Sequence, residues 1–258
     1  MTTQAASTPS QPEFLKPFWV ALLGPPWVAS LAVLAVLASI RFFAFLSPYP
    51  LQELFFLQVV AMWALPFIFL TADGRCEIGL TVRGMTLFSM LASALAGAAC
   101  ALGFFALGML LYGNSPDNWC ISIRNYLHLE EMRGLMPPWG LFVLFALPAM
   151  FLNPIGEEIL FRGFIQQAFA RRFNSAFAIV VSSLLFGLIY LYIHGLWRDA
   201  SGLHLRLGSA AVALIFMACI GGVFTCCRML SGSLWSAIAA HAAFNLTLLA
   251  ASIYEFIR

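Results

Sequence analysis

A chain of 258 residues in which 62% are hydrophobic and only 9% charged would precipitate from water as a free globule, and its recurrent apolar runs of about twenty residues read as membrane-crossing helices. A net charge of +2 with no basic stripe excludes a nucleic-acid partner, and the absence of short apolar/polar alternation excludes a membrane barrel. The expected fold class is all-α, a polytopic integral membrane helical bundle of about seven spans.

Residues 1–16 are polar, rich in Ser, Thr, Gln and Pro, and poor in bulky apolar side chains; they cannot bury a core and read as a flexible N-terminal tail. No charged stretch leads into a short apolar segment with a small-residue cleavage site, so a removable signal peptide is not expected. Spans are predicted near 27–46, 52–71, 85–113, 139–153 continuing after a break to 172, 175–194, 208–228 and 232–256. The segment 72–84 is a short polar connector. A longer one over 114–138 holds Asp117, Arg124, Glu130, Glu131 and Arg133 and serves as a surface lid or as packing, with packing preferred. Residues 17–258 form one transmembrane domain, with the chemistry concentrated in 138–256.

With the N-terminus cytoplasmic and an odd number of crossings, Lys16, Arg75, Arg83, Arg171, Arg172 and Arg228 fall inside, while Arg41, Arg124, Arg133, Arg198, Arg206 and Arg258 fall outside. The charge rule then gives no clear orientation, although the Arg171-Arg172 pair favours its own side as cytoplasmic. The six cysteines show no CxxC pair and no Cys/His ligand spacing; they read as small buried hydrophobes, and no cofactor is expected.

Three polar groups interrupt the apolar spans. Glu157 and Glu158 precede Arg162 inside an apolar stretch, where ionisable side chains mark functional sites by default. Asn153-Pro154 suits a helix restart, with Asn153 as N-cap and the acids near a helix N-terminus. Glu158 and Arg162 stand four apart with the acid first, the favourable order for an intrahelical ion pair, while helix geometry turns Glu157 about 100° away, toward a cavity. The competing reading is a folding device at the membrane interface. Phe186, Tyr190 and His194 share one helix face four residues apart; His194 is an interface residue or a functional one. His241 and Asn245 are spaced i to i+4 in the last run, either as donors to a developing oxyanion or as interhelical glue. A carboxylate, a phenol and imidazole, and a His/Asn face on three spans converge only around a polar pocket, and a water held there by a carboxylate is hydrolytic equipment.

These residues resemble the CPBP family of intramembrane proteases, which includes the CAAX prenyl endopeptidases and the bacteriocin-processing proteins labelled Abi. Glu157, Glu158 and Arg162 match its EExxxR motif, followed by the usual Gly163. His241 and Asn245 match its HxxxN motif with the Gly-Ser-Leu lead-in at 232–234, and Ser182 to Leu188 looks like the start of its FxxxH motif. The resemblance runs from about 153 to 245. It implies glutamic-type peptide hydrolysis in the membrane: Glu157 activates a water, Glu158 and Arg162 order the site, and His241 and Asn245 hold the oxyanion. The pattern departs at Tyr190, where the family places a His. A phenol with an ordinary pKa of about 10 is a poor base near neutrality, and His194 lies about 6 Å further along the axis. Either Tyr190 or His194 serves as helper, or the protein has lost catalysis and binds, escorts or stabilises a membrane partner or has a bacteriocin-immunity role. A zinc site at Glu157, His194 and His241 is disfavoured without a His at 190, so no metal is expected. The implied partners are the lipid bilayer and a protein or peptide substrate at the membrane, with or without a prenyl group. A bacterial cytoplasmic membrane is the expected setting.

Overall fold

The computed structural model describes residues 13–47, 52–82, 84–127, 129, 132, 134–199 and 202–257. Helix α1 (Pro17–Leu23) starts on a proline and stops at Gly24, whose φ of 80° no other residue adopts cheaply. It is followed by α2 (Pro26–Leu46), α3 (Gln52–Phe69) and the short α4 (Ala72–Glu77), capped where the Thr71 hydroxyl accepts from the Gly74 N–H at 3.0 Å. A reciprocal box between Thr86 and Ser89 opens α5 (Leu87–Tyr112), and the Asn118 side chain caps α6 (Trp119–Tyr126). Then come the long α7 (Pro138–Ala170), α8 (Ser175–Ile189), α9 (Leu191–His194), the antiparallel hairpin β1 (Leu196–Asp199) and β2 (Gly202–Leu205), α10 (Leu207–Ser231) and α11 (Leu234–Ile257).

Among the described residues six helical segments are long and apolar enough to cross a membrane: Pro26–Phe45, Leu87–Tyr112, Pro138–Ala170, Ser175–His194, Leu207–Ser231 and Leu234–Glu255. Within the remaining predicted span, 52–71, the described residues include the shorter apolar helix Phe56–Phe69. Outward faces carry large apolar side chains, among them Leu230 at 90% exposure and Phe88 at 82%. Such surfaces are intolerable in water and ordinary in lipid. The protein is a multi-pass membrane protein built as a helical bundle.

Helix α11 runs through the middle, lying along α5 and also against α10 and α7, while α10 pairs with α8. Close approach of α5 and α11 depends on Gly97: a Cβ there would stand 1.8 Å from the Ala240 carbonyl oxygen, one residue before His241. Between the helices an aromatic core of Phe104, Phe161, Phe186, Phe224 and Phe244 is 2% exposed or less.

Several expectations are corrected. Asn153-Pro154 does not break the span. The helix runs on through Pro148 and Pro154, with π-helical turns at Pro148–Leu152 and Ile159–Ile165, and Asn153 is itself helical (φ −69°, ψ −52°) and caps nothing. The connector 72–84 holds α4, and the 114–138 segment holds α6, whose Trp119 is fully buried, donates to the Phe104 carbonyl at 2.9 Å and stacks on the Phe104 ring. Packing is therefore what this part of the connector does; Glu130, Glu131 and Arg133 lie outside the described residues. Of the cysteines, Cys120 and Cys227 are buried and Cys76, Cys219 and Cys226 are exposed; Cys219 and Cys226 lie in the span Leu207–Ser231, where a thiol facing lipid is as well solvated as one in the core. Residues 1–12 of the expected tail lie outside the described residues. At its end Phe14 and Leu15 are buried, and Leu15 pairs with Leu70 in an isolated bridge.

Candidate active site

Helix α7 presents the acid pair. Its second π-helical turn begins directly after Glu158, and the widened backbone leaves Glu157, Glu158 and Arg162 all inside the bundle, at 1%, 0% and 0% exposure. Arg162 Nη1 donates to Glu158 Oε1 at 2.8 Å, the expected i,i+4 pair. Its Nη2 donates to the Gly221 carbonyl on α10 at 2.8 Å, and the guanidinium sits over the faces of Phe186 and Phe224 at 4.3 and 5.3 Å. Gly221 is small because it must be: a Cβ there would approach Arg162 Nη2 to 3.0 Å and Ser183 Cα to 3.2 Å.

His241 on α11 joins the same carboxylate. Its Nδ1 lies 2.8 Å from Glu158 Oε1, and since that oxygen belongs to the ion-paired carboxylate, Nδ1 is assigned the hydrogen. The ring is sandwiched by stacking on Phe224 and an edge contact with Phe186. Nε2 is thereby aimed at the other glutamate, 3.8 Å from Glu157 Oε2 and 3.5 Å from the Tyr190 hydroxyl.

Glu157 is held from two sides. The Tyr190 hydroxyl donates to Oε2 at 2.7 Å, and Arg41 Nη2 on α2 donates to Oε1 at 3.0 Å. Sequence reasoning missed Arg41 by counting it among the outer-face charges. It is 4% exposed and sits in the interior, and its signal was being the one charged residue of the 27–46 run. Two carboxylates and two guanidiniums thus enclose a cluster that is neutral overall, the condition under which so many ionisable groups can be buried.

The remaining residues sit at the margin. Phe186, Tyr190 and His194 do form a column, with ring centroids 5.1 and 6.0 Å apart in succession. Helix α8 ends at Ile189, however, and His194 packs on the outer face of the Tyr190 ring and edge-on to Phe104, with Nδ1 buried and without a hydrogen bond. No hydrogen bond links it to either glutamate among the described residues. Asn245 Nδ2 donates to the Ala149 carbonyl at 3.0 Å, in the first π-helical turn of α7, so one amide hydrogen is used as interhelical glue and the second is left over. Beside that turn, Leu144, Leu147, Pro148, Phe151 and Leu152 line a shallow apolar groove on the outer surface of α7.

Residues 138–247 match the family described as Rce1-like, type II CAAX prenyl endopeptidase Rce1-like. Comparison with curated proteins and with solved structures yields no match. The matched region contains the acid pair, Tyr190, His241 and Asn245, and leaves out Arg41.

Proposed function

We propose, from the match of residues 138–247 to the family described as type II CAAX prenyl endopeptidase Rce1-like, that the protein is an intramembrane endopeptidase that hydrolyses a peptide bond of a membrane-associated or lipidated protein or peptide with a glutamate-activated water. One observation carries the reading. Glu157 Oε2, the Tyr190 hydroxyl and His241 Nε2, from three different spans, face one another at 2.7, 3.5 and 3.8 Å in a buried, charge-balanced cluster.

Water bonded to Glu157 Oε2 gives that oxygen a proton as its own oxygen bonds the substrate carbonyl carbon. The carbonyl electron pair moves onto oxygen, where the Tyr190 hydroxyl and the spare Asn245 amide hydrogen are the available donors, with His241 Nε2 beside them. When the tetrahedral species collapses, the C–N bond breaks and Glu157 returns its proton to the leaving amine, so one water is consumed per bond. Glu158 and Arg162 take no part in bond making; they orient His241. The groove on α7 offers apolar surface to a lipidated or hydrophobic segment. No cofactor enters this scheme, and the setting is a bacterial cytoplasmic membrane.

A second reading is favoured by the same clamp on Glu157: with Arg41 on one oxygen and Tyr190 on the other, the carboxylate is a structural counter-ion in a protease-like protein that binds a membrane partner. The two separate in nanodiscs, using wild type and Glu157→Gln with peptides that do and do not carry a prenylated C-terminal tail. Cleavage by wild type that survives a chelator and vanishes in Glu157→Gln supports the endopeptidase. Loss on chelation overturns the glutamic mechanism, and a folded wild type that cleaves nothing transfers the assignment to the binding protein.

A further inference from the structure

Arg41 lies in α2 and its support lies in α3, both outside the matched region 138–247. The guanidinium is fixed at two points. Nε donates to Gln58 Oε1 at 3.2 Å, Gln58 Nε2 in turn donates to the Leu37 carbonyl at 3.1 Å, and Nη2 reaches Glu157 Oε1 at 3.0 Å. The Tyr192 ring lies 5.5 Å from the guanidinium carbon. Gln58 is 1% exposed, so its amide holds the planar fork in the orientation that points Nη2 at Glu157 Oε1.

That choice has a chemical consequence. A guanidinium has donors only and does not accept a proton under ordinary conditions, so the side of the carboxylate that faces Arg41 meets a group that cannot carry a proton away. Oε2 accepts one bond from Tyr190 and retains a second lone-pair direction. Resting on the reading of Glu157 as the water-activating base, we propose that Arg41, held by Gln58, is a positioning residue for hydrolysis: it dedicates Glu157 Oε2 to the water and aims it at the gap before Tyr190 and His241. The N-terminal half of the chain, on this account, completes the active site.

The test uses the full chain in nanodiscs and a quenched-fluorescent peptide ending in a farnesylated tetrapeptide. Arg41→Met is expected to lower kcat about 100-fold with KM changed less than about twofold, as for a misplaced reacting group. Arg41→Lys, which keeps the charge without the planar fork, should recover roughly a tenth of wild-type kcat. If Arg41→Met fails to fold, Arg41→Lys carries the kcat-against-KM comparison, and Arg41→Met/Glu157→Gln, which removes both charges, should recover the lost melting temperature. An active wild type with Arg41→Met at full kcat, or with KM alone altered, overturns the positioning role and leaves the hydrolase standing. A folded wild type with no turnover overturns the hydrolase reading, and Arg41's role in turnover falls with it.

Discussion

The Tyr190 hydroxyl donates to Glu157 Oε2 at 2.7 Å and also stands 3.5 Å from His241 Nε2, so the residue that departs from the family motif occupies the centre of the cluster and touches both of its other working groups. A histidine at 190 could take a proton near neutral pH, which a phenol cannot. Tyr190→His is therefore expected to raise kcat by about tenfold or more, within the range supplied by a positioned base, while Tyr190→Phe lowers it. Steady-state rates on a cleaved peptide check this; equal rates for all three proteins would make residue 190 a packing residue.

Glu158 has a different task from its neighbour. It pairs with Arg162 and accepts a hydrogen bond from His241, at 2.8 Å each, with all three groups at the bundle centre. Glu158→Gln leaves a fully buried guanidinium without its counter-ion, and a loss of about 3–5 kcal/mol is expected. Thermal melting in detergent measures it, with Glu157→Gln as the comparison. If Glu158→Gln melts like wild type, the ion pair is not what holds α7 to α10 and α11.

Gly97 sets the approach of α5 to α11. Gly97→Ala would place a methyl 1.8 Å from the Ala240 carbonyl, forcing the helices apart and shifting His241; a destabilisation of about 1–3 kcal/mol or more follows. At Gly103 on the same helix a Cβ would meet Phe216 at an ordinary 3.6 Å, so Gly103→Ala should be neutral. Paired melting curves decide, and equal melting of the two variants would disprove the close packing.

Asn245 separates two roles by two readouts. Its bond to the Ala149 carbonyl predicts a stability loss near 1 kcal/mol in Asn245→Ala, as interhelical hydrogen bonds give in membranes. Its second amide hydrogen predicts a fall in kcat of roughly two orders of magnitude. A protein that melts lower and turns over normally would leave Asn245 as glue alone.

The thiols report on the membrane faces. Cys76 is exposed and adjoins Glu77, which pairs with Arg171 at 2.8 Å, so it lies at the end of the bundle carrying the Arg171-Arg172 pair. Cys120 is 2% exposed, and burial pushes its thiol up to about 12. An impermeant maleimide at pH 8 should label Cys76 from the cytoplasmic side only and leave Cys120 unmodified until the protein is unfolded. Labelling of Cys76 from the opposite side would reverse the orientation read from the Arg171-Arg172 pair.

What the chain announces along its length is what helix geometry makes local. Apolar runs longer than a bilayer is thick require helices, because backbone groups in hydrocarbon have no other partners. The i,i+4 spacing brought Glu158 to Arg162 and stacked Phe186, Tyr190 and His194 in a column, since 3.6 residues per turn is all that such neighbours need. Two local readings went astray at proline. Asn153-Pro154 looked like a break with a capped restart, and α7 instead runs on through it with a π-helical turn on either side.

Everything that turns these faces into a site depends on distance across the bundle. Arg41 finds Glu157 over 116 residues and His241 finds Glu158 over 83, and no periodicity encodes a pairing between spans. A buried charge announces that it must have a partner. Which partner it takes, and therefore which oxygen of Glu157 stays free, is decided only when α2, α7, α8 and α11 pack together, because the cost of burial is met by whichever opposite charge the fold delivers within hydrogen-bond reach.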